Sequence, residues 1–236
     1  LDILGLALIL FFVLSGFLLF LPYIRRLTKP VDKAALPDTR QYALHRIFRV
    51  FPGYLVIFLI CNFILQVAYV KNSAIQPHGT DQGTGMITDP WELLANITLT
   101  QTYVPDYVQT GISPAWSLTL EIAFYVSLPL LGMLLFALRK RTVVAPLALA
   151  CLAPAILLVL GVVGRLFAPL VFSATGESDV AMQNWGPNWA AVFMRSFLTN
   201  ADLFAYGMFA AILFVAIEQG VISPRAAKRI PSISRT

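Results

Sequence analysis

The chain has 236 residues, of which 58% are hydrophobic and only 12% are charged, and its mean hydropathy is +0.76. A soluble domain would carry about 25% charged residues, so the composition excludes an ordinary soluble protein and indicates a polytopic membrane protein. The net charge of +5 is not accompanied by basic residues interleaved with aromatic ones, so no nucleic-acid partner is predicted.

Five segments approach the roughly 20 apolar residues that a membrane-spanning helix needs. In chain order they are residues 3–21, 50–70, 116–137, 143–164 and 198–217. A proline-containing linker, 30–39, separates the first span from a helix that restarts near Arg40. Two short amphipathic helices, around 91–101 and 189–197, are expected at the membrane interface. The sequence therefore predicts an all-α bundle of about five spanning helices in one membrane domain, 1–220, followed by a basic cytoplasmic stub, 221–236.

The basic residues predict the orientation, because short cytoplasmic loops collect lysine and arginine. If the five spans alternate, 14 of the 17 basic residues fall on one side, and only Lys71, Arg165 and Arg195 fall on the other. This distribution predicts that Leu1 is outside and Thr236 is cytoplasmic. An N-terminus outside the membrane, with neither a signal peptide nor an initial methionine, favours the interpretation that the chain is a fragment lacking at least one upstream spanning helix.

The two cysteines predict no special chemistry. Cys61 and Cys151 both lie within apolar spans and have no histidine or cysteine at a metal-ligand spacing. We interpret them as small packing residues and predict neither a disulfide nor a metal site.

One acidic residue lies inside the third span, "AWSLTLEIAFYVSLPLL" (115–131). Ser117, Glu121 and Tyr125 are spaced by four residues, so a helix would place them on one face. This column could be a hydrogen-bond ladder between helices or the lining of a cavity that holds or moves a proton. Because a carboxylate within a membrane is costly and usually faces a bundle interior or a water-filled cavity, we favour the functional interpretation.

A basic segment, "YALHRIFRVFPGY" (42–54), precedes the second span. A single arginine there would be an ordinary cytoplasmic anchor. Arg46 and Arg49, three residues apart, instead form a pair whose guanidinium groups suit a phosphate-bearing ligand. His45 is placed as an auxiliary contact.

A small-residue pair interrupts the first span, "FFVLSGFLLF" (11–20). Ser15 and Gly16 are typical of a close approach between two membrane helices.

Taken together, these stretches resemble the acyltransferase-3 family, which comprises bacterial integral-membrane O-acyltransferases. Residues 11–19 resemble its second-helix signature. "HRIFRVFPGY" (45–54) resembles Arg-Arg-x-x-Arg-Ile-x-Pro-x-Tyr, with His45 in place of an arginine and Val50 in place of isoleucine. "WSLTLEIAFYVSLPLL" (116–131) resembles Trp-Ser-Leu-x-x-Glu-x-x-Phe-Tyr followed by a proline, and "LFAYGMFAAIL" (203–213) fits a looser late-helix pattern.

The resemblance implies transfer of an acyl group, often acetyl, to a hydroxyl of a cell-surface carbohydrate or glycoside. The donor would be an acyl-CoA, used as a substrate, with no bound cofactor. The partners would be the lipid bilayer, the acyl-CoA and the carbohydrate acceptor, and the location would be the bacterial inner membrane. In the family, a first spanning helix carries the histidine thought to be the catalytic base. That helix would lie upstream of Leu1, so this chain alone is expected to be inactive.

The resemblance also implies roles for individual residues. Glu121 would orient or charge the missing histidine, or hold the acceptor, with Ser117 and Tyr125 in support. Donor and substrate binding would involve Arg46, Arg49, His45, Tyr54, Ser15, Gly16 and Trp116. Trp116 also fits an aromatic residue at the membrane interface.

Another class of protein remains open as an alternative, a proton-coupled transporter or flippase of a glycan or lipid precursor. Glu121 favours it, whereas the sequence has no inverted repeat and no paired Gly/Pro-broken spans, which would be expected of a transporter. Transfer from acetyl-CoA would separate the two. A purely structural membrane subunit would leave the arginine pair and the Glu121 column unexplained.

Overall fold

The computed structural model describes residues 3–77 and 79–221 of the chain. The predicted basic stub therefore lies outside the described residues, except for its first residue. Within the described ranges the structure has nine α-helices: α1 (Ile3–Leu27), α2 (Thr39–Leu59), α3 (Pro90–Ile97), α4 (Trp116–Arg139), α5 (Pro146–Ala150), α6 (Leu152–Thr175), α7 (Val180–Trp185), α8 (Trp189–Met194) and α9 (Phe197–Glu218).

Five helical stretches are long and apolar enough to cross a membrane, as predicted. They are Gly5–Leu27, Leu44–Ile64, Ser113–Arg139, Pro146–Thr175 and Trp189–Glu218. Strand structure among the described residues is limited to one short antiparallel pair, β1 (Ala68–Tyr69) with β2 (Thr84–Gly85). These findings confirm the all-α fold class with about five spanning helices.

The second span lies earlier in the chain than predicted. The helix begins at Thr39, which confirms the predicted restart near Arg40, and it ends in a π-helical turn, Ile60–Ile64, rather than near residue 70. The apolar span within it begins at Leu44 rather than at Val50, so Arg46 and Arg49 lie inside the span and not before it. Gln66 then adopts a left-handed conformation with φ of +54°, which directs the chain out of the helix and into β1.

The fourth span lies later than predicted. Pro146 occupies the first turn of α5, a position where its missing N–H costs nothing, and α6 then continues to Thr175. Arg165 was expected in a loop, and that expectation is wrong. It lies within α6, where an ion pair with Asp202 offsets its charge.

The segment between α2 and α4 folds around hydrogen-bonded turns. Tyr69 exchanges backbone hydrogen bonds with Gly111, at 2.9 and 2.8 Å, and Gly111 has a φ of +67° that suits glycine. The Asp89 carboxylate caps α3 by accepting the backbone N–H groups of Trp91 and Glu92. The predicted amphipathic helix at 91–101 is thus shorter, because Leu99 has a left-handed φ of +59°.

The chain divides into two compact units, and α4, α6 and α9 each contribute to both. The first unit comprises residues 1–37, 130–156 and 203–236. Its core includes α1 against α9, where the rings of Phe12 and Phe204 have their centres 5.1 Å apart. A Cβ atom on Gly16 would overlap the carbonyl group of Phe204, and one on Gly207 would overlap the carbonyl group of Val13. The two helix backbones are therefore in direct contact.

The second unit comprises residues 38–129 and 157–202. It contains the whole of α2 and α3, the N-terminal half of α4 and the segment that joins α6 to α9. Leu120 and Phe124 of α4 and Phe58 of α2 are fully buried there. All of the residues of the site described next, apart from Ser15 and Gly16, belong to this unit.

Candidate functional site

The polar column of the third span lies on one helix, as its spacing predicts. Ser117, Glu121 and Tyr125 are all in α4 and are 6, 2 and 8% exposed. The hydroxyl of Ser117 donates to the carbonyl oxygen of Pro114 at 2.8 Å, so it closes the first turn of the helix. The central carboxyl group of this column is the most deeply buried of the three.

Arg46 of α2 lies over the ring of Tyr125, the last of these three residues along α4. Its guanidinium carbon lies 5.9 Å from the centre of the Tyr125 ring and 5.6 Å from the centre of the Tyr42 ring. Both distances are within the range of a cation–π interaction. The two sequence motifs that were singled out separately, 42–54 and 116–131, therefore meet at this arginine.

Nε of Arg46 is buried at this contact and has no hydrogen-bond partner among the described residues. The hydroxyl oxygen of Tyr125 is also buried, and it lies within hydrogen-bond reach of the Glu121 carboxyl group and close to the charges of Arg46 and Arg49. Because an unsatisfied buried polar group costs about 1–3 kcal/mol, Nε of Arg46 is available to a ligand that can satisfy it.

A cavity of about 260 Å³ opens beside these two atoms. It is lined by Tyr42, Arg46, Val50, Phe51, Ile122, Tyr125 and Val126. A mostly apolar wall with a few polar groups is the usual composition of a small-molecule site. This cavity can therefore accept an apolar chain whose polar end reaches Arg46 and Tyr125.

The other predicted residues of α2 are placed differently. Arg49 and His45 are exposed, so both face away from the helix packing. Tyr54 is buried, and its hydroxyl donates to the backbone carbonyl of Asn96 at 2.7 Å. That hydrogen bond joins α2 to α3. Its proposed part in donor binding stays a prediction.

Ser15 and Gly16 lie in the first unit, on α1. Ser15 is 6% exposed, and Gly16 lies against the backbone of α9 at Phe204. A close helix approach is present at Gly16, with α9 as the neighbour, whereas packing of this pair against the family's first spanning helix, which the resemblance implies, stays a prediction. Their predicted contact with a substrate remains untested.

Trp116, at the start of α4, belongs to an aromatic group that the sequence did not predict. Its ring centre is 5.8 Å from that of Trp185, and the guanidinium carbon of Arg195 lies 4.8 Å from the Trp116 ring centre. No spacing rule connects residues this far apart in the chain. Tyr42, by contrast, could have been found, because it precedes Arg46 by one helical turn.

Comparison with known proteins gives one clear result. The family model described as an acyltransferase domain, that of acyltransferase-3, matches residues 3–226. The match includes α2 and α4, whose side chains line the cavity. No curated protein and no solved structure matches the chain.

Proposed function

Because the chain belongs to the acyltransferase-3 family and is thus a membrane acyltransferase domain, we propose that it moves an acyl group from an acyl-CoA to a carbohydrate hydroxyl. The acceptor would be a cell-surface carbohydrate or glycoside. The observation that carries this proposal is the apolar cavity at Arg46 and Tyr125, one helical turn from the buried Glu121. The location that fits is the bacterial inner membrane, with the α2 arginines on the cytoplasmic side.

The cavity supports a role in donor binding. Its apolar wall suits the acyl group and the adjoining thioester arm, while the guanidinium of Arg46 suits a phosphate or a carbonyl oxygen. Arg49, exposed on the same helix one turn later, would contact the phosphates of the nucleotide part. His45, also exposed, would be an auxiliary contact.

Glu121 would assist the proton transfer that accompanies the acyl transfer. The acceptor hydroxyl attacks the thioester carbonyl, so a C–O bond forms, the C–S bond breaks, and the hydroxyl proton ends on the CoA sulfur. A histidine of the kind that the resemblance implies would carry that proton as general base, a role worth about 10²–10⁴-fold in rate. Glu121 would orient this histidine and stabilise its charged form, with the Tyr125 hydroxyl beside it.

The test is acyl transfer by protein expressed from its complete reading frame and reconstituted in lipid nanodiscs. Acetyl-CoA is supplied with a short glycoside, and both free CoA and the acylated sugar are quantified by mass spectrometry. We expect Glu121→Gln to lower the transfer rate by about 100-fold or more, while acetyl-CoA still binds. Glu218→Gln, an exposed glutamate on α9 paired with Arg25, should keep the full rate.

Two outcomes would overturn the proposal. Wild-type protein that translocates a glycan without releasing CoA would be a transporter. A Glu121→Gln variant with the normal transfer rate would remove the role assigned to that carboxyl group.

A further inference from the structure

A cationic side chain is held between two tryptophans in the second unit. The guanidinium carbon of Arg195 lies 3.1 Å from the centre of the Trp185 ring and 4.8 Å from that of Trp116. The two rings are inclined at 74°. We call Trp116, Trp185 and Arg195 the tryptophan–arginine cluster. All three side chains are half-buried, so the cluster remains open to a ligand.

Hydrogen bonds to the backbone hold this cluster in place. Nε of Arg195 donates to the carbonyl oxygen of Asn184 at 2.9 Å. The buried side-chain amide of Asn72 donates to the carbonyl oxygens of Trp185, at 2.8 Å, and Val108, at 2.9 Å. The backbone of Trp185 and the guanidinium of Arg195 are therefore held before any ligand arrives, which lowers the entropic cost of binding.

The cluster retains hydrogen-bonding capacity. Among the described residues, the terminal nitrogens of Arg195 make no hydrogen bond or ion pair. These N–H donors beside the tryptophan rings suit a sugar ring that carries an anionic group.

The tryptophan–arginine cluster, Glu121 and the proposed donor cavity follow one another along α4. Trp116 and Glu121 are five residues apart on α4, about 7.5 Å along the helix axis. Tyr125 and the cavity lie a further four residues along, about 6 Å. Glu121 therefore lies between the cluster and the proposed donor cavity on one helix.

We propose that the tryptophan–arginine cluster is the acceptor subsite and that it selects an acidic saccharide, whose carboxylate or phosphate pairs with Arg195 while its ring contacts a tryptophan. The acceptor role rests on the proposed function, whereas the binding of an acidic sugar does not. The two free nitrogens of Arg195 offer a forked pair of donors, and such a pair matches two oxygens of one anionic group.

The experiment is a tryptophan-fluorescence titration of the chain in lipid nanodiscs with three probes: glucuronate, glucose 6-phosphate and glucose. Four tryptophans contribute, of which Trp91 and Trp189 are 72 and 61% exposed and give the background. We expect a saturable change with at least one acidic sugar and none with glucose. The acidic sugar that responds identifies the anionic group as carboxylate or phosphate.

Three variants make the test specific. Arg195→Gln should lower the affinity for the acidic sugar by about tenfold or more, and Trp185→Phe should also lower this affinity. Lys71 is an exposed basic residue of the same unit, and Lys71→Gln should leave the affinity for the acidic sugar unchanged. Circular dichroism and thermal unfolding show whether each variant is folded, and Trp185→Phe keeps the test decisive if Arg195→Gln does not fold.

The proposal is overturned if no sugar binds, if glucose binds as well as the acidic sugars, or if the folded variants keep the wild-type affinity. Acyl transfer is measured separately. If acidic sugars bind but the protein from the complete reading frame transfers no acyl group, the cluster stays a saccharide site and the proposed acyl transfer is removed. If acyl groups are transferred to neutral acceptors alone, the proposed function stands and the acidic-sugar subsite is removed.

Discussion

The guanidinium carbon of Arg46, on α2, lies 5.9 Å from the centre of the Tyr125 ring, on α4. This contact brings together two motifs that are far apart in the chain and places an arginine at the edge of an apolar cavity. The neighbour of Tyr125 one helical turn earlier is Glu121. The arginine and the carboxylate of the proposed site are thus connected through a single aromatic side chain.

We expect Arg46→Ala to weaken the binding of coenzyme A by about tenfold or more, because a hydrogen bond to a charged group is worth about 1.5–3 kcal/mol. Arg46→Lys should recover only part of the affinity, since lysine keeps the charge but lacks the planar group that stacks on Tyr42 and Tyr125. Isothermal titration calorimetry of the chain in nanodiscs measures both. The exposed Arg141 supplies the control, and an equal loss in Arg141→Ala would show that only overall charge matters.

A second prediction concerns the ion pair between α6 and α9. Arg165 donates to both oxygens of Asp202, at 2.8 and 2.7 Å, and the Asp202 side chain is 5% exposed. Asp202→Ala should lower the free energy of unfolding by about 3 kcal/mol, the low end for a broken buried pair, because Arg165 is 44% exposed. Thermal unfolding followed by circular dichroism gives the measurement.

The double variant Arg165→Met/Asp202→Leu should recover most of this loss, because it leaves no unpaired charge. The exposed pair Arg25–Glu218, at 3.1 Å, provides the contrast, since breaking an exposed pair costs about 1 kcal/mol or less. A double variant no more stable than Asp202→Ala would show that the ion pair is not the source of the effect.

The contact between α1 and α9 gives a third prediction. Gly16→Ala and Gly207→Ala each place a methyl group against a backbone carbonyl that cannot rotate away, so each should cost about 1–3 kcal/mol of stability. Gly53, in α2, has open space where its Cβ would be. Gly53→Ala should be neutral or should stabilise by up to about 1 kcal/mol, and the same unfolding assay compares all three. Equal effects at the three positions would contradict the close helix contact.

A fourth prediction concerns pH. Burial raises the pKa of the Glu92 carboxyl above its ordinary value of 4.5; a hydrogen bond with Thr110 opposes this shift and the charge of Asp89 adds to it. The folded chain then binds more protons than the unfolded chain between pH 4.5 and the raised pKa. The Glu92 contribution to stability therefore falls as the pH rises through that window.

Glu92→Gln should accordingly be more stable than the wild type at neutral pH, and the difference should shrink as the pH falls through that window towards 4.5. Unfolding curves at a series of pH values measure this difference. A stability difference that is constant with pH would rule out the titration of Glu92 as its cause.

The sequence predicted the spanning helices because apolar runs of sufficient length have few alternatives in a bilayer. Helical periodicity also placed Ser117, Glu121 and Tyr125 on one helix correctly. It did not predict that Ser117 and Tyr54 donate to backbone carbonyls, since those acceptors come from a helix start and from another helix. Charge counting placed Arg165 in a loop because a partner 37 residues away is invisible to a hydropathy window. The roles of the site residues remain predictions.

The direct contact between α1 and α9 has a consequence for the synthesis of the protein. Arg25 and Glu218, which pair across these two helices, are 193 residues apart in the chain. At roughly 5–20 residues per second, translation of that interval takes about 10–40 s. α1 must therefore wait in the membrane, its Gly16 face covered by lipid or by the insertion machinery, until α9 emerges. Completion of this unit is a post-insertion event, and a ribosome that stalls before residue 207 leaves α1 without its partner.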